Sequence, residues 1–152
     1  VMRLVGSEMC IRDRSRPKIR VSFQMKKIIS TDNAPSAIGT YSQAVLINDF
    51  LYVSGQIALD PENMQMVKGI DNQIKMVFKN IKKILNEADM DFTDVIKLTI
   101  LLDNLDNFEK VNEIMSELFE KPYPARAAFE VSKLPKNSSI EIETIAYKGS
   151  GK

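Results

Sequence analysis

Near its end the chain reads YPARAAFEVSKLPKNSSIEIETIAY, residues 123–147, and three side chains in this stretch could do chemistry. Arg126 stands in an apolar run, with Pro124 and Ala125 before it and Ala127, Ala128 and Phe129 after it. A planar guanidinium in such surroundings is suited to hold a carboxylate through two parallel hydrogen bonds. Glu141 and Glu143 alternate with Ile140 and Ile142. A strand would therefore place both acids on one face and both isoleucines on the other. A carboxylate close to a carboxylate-binding arginine could orient or deprotonate a water. The plainer reading is a solvated strand face and a surface or ion-paired arginine, because structural ion pairs outnumber catalytic ones. Tyr41 and Ser54 are weaker signals. Tyr41 lies in a Gly/Ser loop, where packing would explain it, and Ser54 precedes Gly55 at the end of a strand, where a turn would.

The rest of the reactive inventory is short. There is no histidine, and Cys10 is the single cysteine. An intrachain disulfide, a Cys/His zinc site and a Ser-His-Asp or Cys-His machine are thereby excluded. Asp103, Asp106 and Glu109 could suggest a metal cluster, but helix capping explains them better, so no metal is expected. The remaining groups suit the positioning and protonation of a substrate that is already reactive. They are poorly suited to cutting an inert bond. "SGQ" at 54–56 lacks the glycines and lysine of a phosphate loop.

The formal net charge of +1 hides an asymmetry. Residues 1–24 hold six basic and two acidic groups, and residues 25–152 hold 15 basic and 18 acidic. A domain of net charge −3 lacks the electrostatic footprint of a nucleic-acid binder. No apolar run approaches the ~20 residues that a spanning helix needs, so no membrane partner is expected. Residues 1–24 are arginine-rich and carry no sustained period. A transit peptide or a disordered basic arm would fit them. The reading preferred is that they are extraneous, since "GSEMCIRD" resembles translated sequencing adapter. The domain is then 25–148, starting at "MKKIIS", with 149–152 a short tail. The protein is expected in the cytoplasm, or in mitochondria if residues 1–24 are a genuine transit peptide.

The elements that must position Arg126 and Glu141 follow from periodicity. "KKIIS" reads as a strand, and "AVLI" and "FLYVSG" flank Asn48-Asp49 as a tight hairpin. "LDPENMQMVKG" is a turn with a small ribbon. Ile70, Ile74, Val77, Phe78, Ile81, Leu85 and Ala88 predict a helix of about five turns. Val95–Leu102 is apolar at six of eight positions, as in a strand covered on both faces. Asp103 or Asn104 can cap the next element. Phe108, Val111, Met115, Leu118 and Phe119 predict a second helix, stopped by Pro122 and Pro124. Strands over 125–132 and 139–147 close the chain. They are expected to pair as neighbours and so to bring Arg126 and Glu141 together. The order β-ββ-α-β-α-ββ is an α+β fold, a mixed sheet with two helices packed on one face. Its other face remains apolar, which predicts oligomerisation through it.

Four stretches together, "NAPSAIGTYSQAV", "LYVSGQIALDP", "VIKLTILLDNLDNFEKVNEIM" and "YPARAAFEVSKLPKNSSIEIETIAY", resemble the reactive intermediate deaminase family, RidA or YjgF. The likeness spans about residues 26–147 and is most specific in its last stretch. It implies a chorismate-mutase-like fold, with the sheets of a homotrimer lining a central barrel and active sites between subunits. It implies hydrolysis of enamines and imines such as 2-aminoacrylate, 2-iminobutanoate or 2-iminopropanoate to 2-keto acids and ammonia, without a cofactor. Carried over by motif, Arg126 would bind the substrate carboxylate and Glu141 would position the attacking water. Tyr41 and Ser54 would line the pocket, and Gly55 would allow close backbone approach. Two positions depart from the family pattern. Ala128 stands where many members have cysteine, and Asp106 where some have asparagine.

Two other functions compete. A non-catalytic module that binds 2-keto acids or other small carboxylates would need Arg126 but not Glu141. An endoribonuclease and translation inhibitor ranks third, because the chain lacks the histidines usual in RNA cleavage and its domain is acidic.

Overall fold

The computed structural model describes residues 26–149. Residues 1–24, read above as extraneous, lie outside the described residues. The described chain forms strands β1 (Lys27–Ile29), β2 (Ala44–Ile47) and β3 (Phe50–Ile57), helix α1 (Ile70–Glu87), strand β4 (Val95–Leu102), helix α2 (Phe108–Leu118), and strands β5 (Ala125–Glu130) and β6 (Ile140–Tyr147). This is the expected β-ββ-α-β-α-ββ order. Asn48, at φ 50°, turns the β2–β3 hairpin. Gly69, at φ 86°, turns the chain into α1, and the bridge Leu59–Met66 is the small ribbon before it. Asn104 caps the short turn ahead of α2, its side chain accepting from the Asp106 N–H at 2.9 Å. Asp103 does not cap it.

The six strands form one mixed sheet in the order β1-β2-β3-β6-β4-β5. Here one expectation fails. The final strands are not neighbours, because β4 lies between them, antiparallel to β6 and parallel to β5. The reason is the α2 crossover. A parallel pair needs a long connection, and β4–α2–β5 provides one, which seats β5 at the sheet edge. β3 is also longer than its apolar run suggested. It continues through Ser54 and Gly55 to Ile57, with an irregularity in its pairing to β6 between Val53 and Gln56.

Both helices cover the same face. Ile74, Val77, Phe78, Ile81, Ile84 and Leu85 of α1 are fully buried against Leu98, Ile100 and Leu102 of β4 and Ile140 and Ile142 of β6. Burying each such side chain contributes about 1.5–3 kcal/mol. The stripes meet because helical period 3.6 and strand period 2 each gather one apolar face. Phe78, Phe92 and Phe119 close one end with tilted and edge-on ring contacts. Among the described residues nothing covers the opposite face of the sheet. β4 is therefore buried on one side only, and Thr99 and Leu101 on the other side are half-buried. Ile28, Ile47, Phe50, Tyr52, Tyr147 and Phe129 stand exposed there, Phe129 at 53%. Among the described residues no helix is long and apolar enough to cross a membrane.

Candidate active site

Alternation along β6 turns Ile140 and Ile142 into the core and Glu141 and Glu143 onto the uncovered face. Glu141 is paired in register with Ile57 of β3 on one side and Leu101 of β4 on the other. Its carboxyl rests against Gly55 at the irregular stretch of β3. A Cβ at position 55 would stand 2.8 Å from the Glu141 carboxyl carbon, so any side chain there would displace the acid. The need for glycine is thus one of space. Partial burial, and then the charge of Glu143, push the Glu141 carboxyl above the usual carboxylate range.

This acid sits in a cavity of about 520 Å³ whose walls include Pro35, Ile38, Tyr41, Ser54, Gly55 and Lys136 besides both glutamates. Ser54 donates its hydroxyl to the Ser42 carbonyl at 2.6 Å and its N–H to the Gln43 carbonyl at 3.0 Å. Tyr41, half-exposed, accepts the Ile38 N–H at its hydroxyl, 3.3 Å away. Lys136 reaches the rim from a loop where it and Asn137 both adopt positive φ. Four of the five residues that the family likeness assigns to the site (Tyr41, Ser54, Gly55 and Glu141) thus share one cavity, and Glu143 lines it too.

Arg126 is not in it. Its register partner is Leu98, a core residue, so its side chain leaves the sheet on the helix side. There the guanidinium lies over the Phe108 ring, 4.6 Å from its centroid, and Nη1 donates to Asn112 Oδ1 at 2.6 Å. Met115 Sδ is 3.5 Å from the same nitrogen. Among the described residues no carboxylate pairs with Arg126. Stacking fixes the plane of the guanidinium, and Asn112 and Met115 take the Nη1 donors, which leaves the Nε and Nη2 donors open to an anion. Arg126, Asn112 and Met115, with Ser116, Tyr123 and Pro124, line a second cavity of about 480 Å³. The two cavities share no lining residue, so within one chain Arg126 and Glu141 face apart.

Phe108 and Asn112, four residues apart on α2, hold Arg126, and sequence reasoning did not assign them that role. Their spacing was visible, but only the β5 register shows what they support. Asp106 is exposed and lines neither cavity, and Ala128 packs half-buried against the core. Among the described residues no cluster of acidic or sulfur side chains could hold a metal ion.

The model of the endoribonuclease L-PSP family matches residues 31–148. The chain is 51% identical over 124 residues to a RutC family protein of Pyrococcus abyssi, covering 81% of this chain and 98% of that one. It is 47% identical over 130 residues to the human 2-iminobutanoate/2-iminopropanoate deaminase, covering 85% and 95%. The solved structure of RidA from the Antarctic bacterium Psychrobacter superposes with a TM-score of 0.79 at 44% identity, covering 80% of this chain and 99% of that one.

Proposed function

Because the chain belongs to the endoribonuclease L-PSP family, the family of RidA, we propose that it is an enamine/imine deaminase. It would hydrolyse 2-iminobutanoate, 2-iminopropanoate and their enamine forms, such as 2-aminoacrylate, to 2-keto acids and ammonia. The observation that carries this reading is the acid cavity, where a partly desolvated Glu141 lies against Gly55 beside Ser54 and Tyr41. A carboxylate with a raised pKa is a better base than an ordinary one. It takes a proton from water as the oxygen adds to the C=N carbon. The carboxyl hands that proton to the imine nitrogen to complete the carbinolamine. The carbinolamine hydroxyl proton then passes through the same carboxylate to the nitrogen as the C–N bond breaks, so that ammonia leaves and the keto acid remains. Such a substrate hydrolyses in water unaided, so orientation and one guided proton suffice, without a metal or cofactor.

Arg126 supplies the grip on the substrate carboxylate. Since it faces away from Glu141 within one chain, the complete site takes Arg126 from one protomer and Glu141 from the next. A closed homotrimer whose sheets line a barrel would cover the exposed row from Ile28 to Tyr147 in the same step. The human deaminase at 47% identity supports the substrate class. The activity is assigned to residues 25–148 and to the cytoplasm, or to mitochondria should residues 1–24 act as a transit peptide.

The test uses 2-aminoacrylate made in situ by a serine dehydratase and trapped with semicarbazide. The wild type should divert the intermediate to pyruvate and suppress the semicarbazone, whereas Arg126→Ala should not. A wild type that leaves the semicarbazone unchanged sinks the proposal. If such an inert protein still binds 2-keto acids, the non-catalytic carboxylate-binding reading takes its place.

A further inference from the structure

One buried amide has no part in the proposed chemistry, yet it touches both walls of the acid cavity. Gln43, 2% exposed, begins where the loop of residues 30–43 enters β2. Its Oε1 accepts the Thr31 N–H at 2.7 Å. Its Nε2 donates to the carbonyls of Thr31 at 3.0 Å, Ala34 at 3.3 Å and Pro35 at 2.8 Å. The carbonyl of the same residue accepts the N–H of Ser54, across the hairpin on β3. One residue thus holds the start of the loop with its side chain and the irregular strand behind Glu141 with its backbone.

No other side chain of that size could replace it. The loop presents one N–H and three C=O groups to a single buried point. A carboxamide alone among uncharged side chains offers an acceptor and two N–H donors there. The orientation of the amide follows from the partners, since the reversed one would set oxygen against three carbonyls. The loop tied down in this way carries Pro35, Ser36, Ile38 and Tyr41, which line the cavity together with Glu141 and Glu143 of β6. Removing Gln43 would leave buried backbone groups unpaired, so the loop would detach and admit water.

We propose that Gln43 is a positioning residue of the acid cavity: it fastens the 31–41 loop to the irregular part of β3 and so keeps Tyr41 and the apolar wall over Glu141. The catalytic consequence rests on the deaminase reading, but the positioning itself does not. The ionisable groups that line this cavity with Glu141 are Glu143 on its own strand, Lys136 on the turn before β6 and Tyr41 on the loop. Of the causes that raise the Glu141 carboxyl, burial is the larger, and it is the one that loosening the loop would weaken.

The experiment compares wild type with Gln43→Met, which keeps the length and loses the hydrogen bonds. Amide exchange should accelerate about tenfold or more over residues 31–41, while amides of α1 and β6 stay protected. The Glu141 carboxyl, followed by carbon-13 NMR across a pH titration, should titrate lower than in the wild type, nearer an ordinary glutamate. In the deaminase assay kcat/KM should fall about tenfold, chiefly through kcat, because a misplaced wall acts on the reacting geometry. In the wild type alone, the Thr31 amide should exchange as slowly as the strand amides beside it, a result independent of how the variant folds. Equal acceleration throughout the chain, an unmoved Glu141 titration or a rapidly exchanging wild-type Thr31 amide would overturn the proposal. Should the wild type lack deaminase activity, the deaminase reading fails, while exchange and titration still decide the role of Gln43.

Discussion

At the residue scale, Glu141 is governed by its surroundings. Gly55 leaves room for its carboxyl, partial burial disfavours its charge, and Glu143 on the same face adds repulsion. The raised pKa has a consequence for stability. The folded state binds the Glu141 proton more tightly than the unfolded chain does. The stabilisation is therefore fully present below the ordinary glutamate pKa and is lost as pH rises through the elevated folded value. Glu141→Gln does not titrate at this position. Its melting temperature relative to wild type should accordingly improve between about pH 4 and about pH 7. Thermal melts of both proteins at the two pH values check this, and a difference that does not change with pH would contradict it. The alternation that aims Glu141 and Glu143 away from Ile140 and Ile142 was legible in four letters of sequence. The glycine contact was not, because β3 and β6 are far apart in the chain.

At the element scale, α2 acts as the platform for Arg126. Its apolar stripe of Val111, Ile114 and Met115 packs into the core, while Phe108 and Asn112 meet the guanidinium. Asn112 is exposed and contributes little to packing, so Asn112→Ala should leave the melting temperature nearly unchanged. If Arg126 holds the substrate carboxylate as proposed, the variant should raise KM about 3- to 10-fold with a smaller effect on kcat, since a hydrogen bond that orients the guanidinium would serve substrate and transition state alike. Steady-state kinetics of the variant measure that split, and a fall in kcat at unchanged KM would point instead to a role in the chemical step. Both helices and all six strands were foreseeable, because amphipathic periods of 3.6 and 2 are local properties. Strand adjacency was not. The expected pairing of β5 with β6 gave way to the parallel β4–β5 pair, since the α2 crossover outweighs nearness in sequence.

At the scale of the whole molecule, the separation of Arg126 from Glu141 and the uncovered apolar face lead to the same arrangement. If each site combines the arginine of one protomer with the acid of its neighbour, two inactive variants should complement one another. Arg126→Ala mixed with an equal amount of Glu141→Gln, unfolded together and refolded, should regain about a quarter of wild-type activity by random assembly of a closed ring. Activity no greater than that of the separate variants would place both residues in one protomer's site or outside the site altogether.

By itself the sequence determined the α+β class, the helical and strand faces, the placement of Glu141 and Glu143 on one side of a strand, and the likeness to the deaminase family. These depend on side-chain order over a few residues, or on motifs that survive in the linear text. Only the tertiary structure decided that β4 separates the last two strands, that Arg126 leaves the sheet on the helix side, and that Gln43 is hydrogen-bonded to the loop that lines the cavity of Glu141. Those facts arise from pairing between segments far apart in the chain. That pairing is set by which crossover can be closed and which buried polar groups must be satisfied, and neither is written in local periodicity.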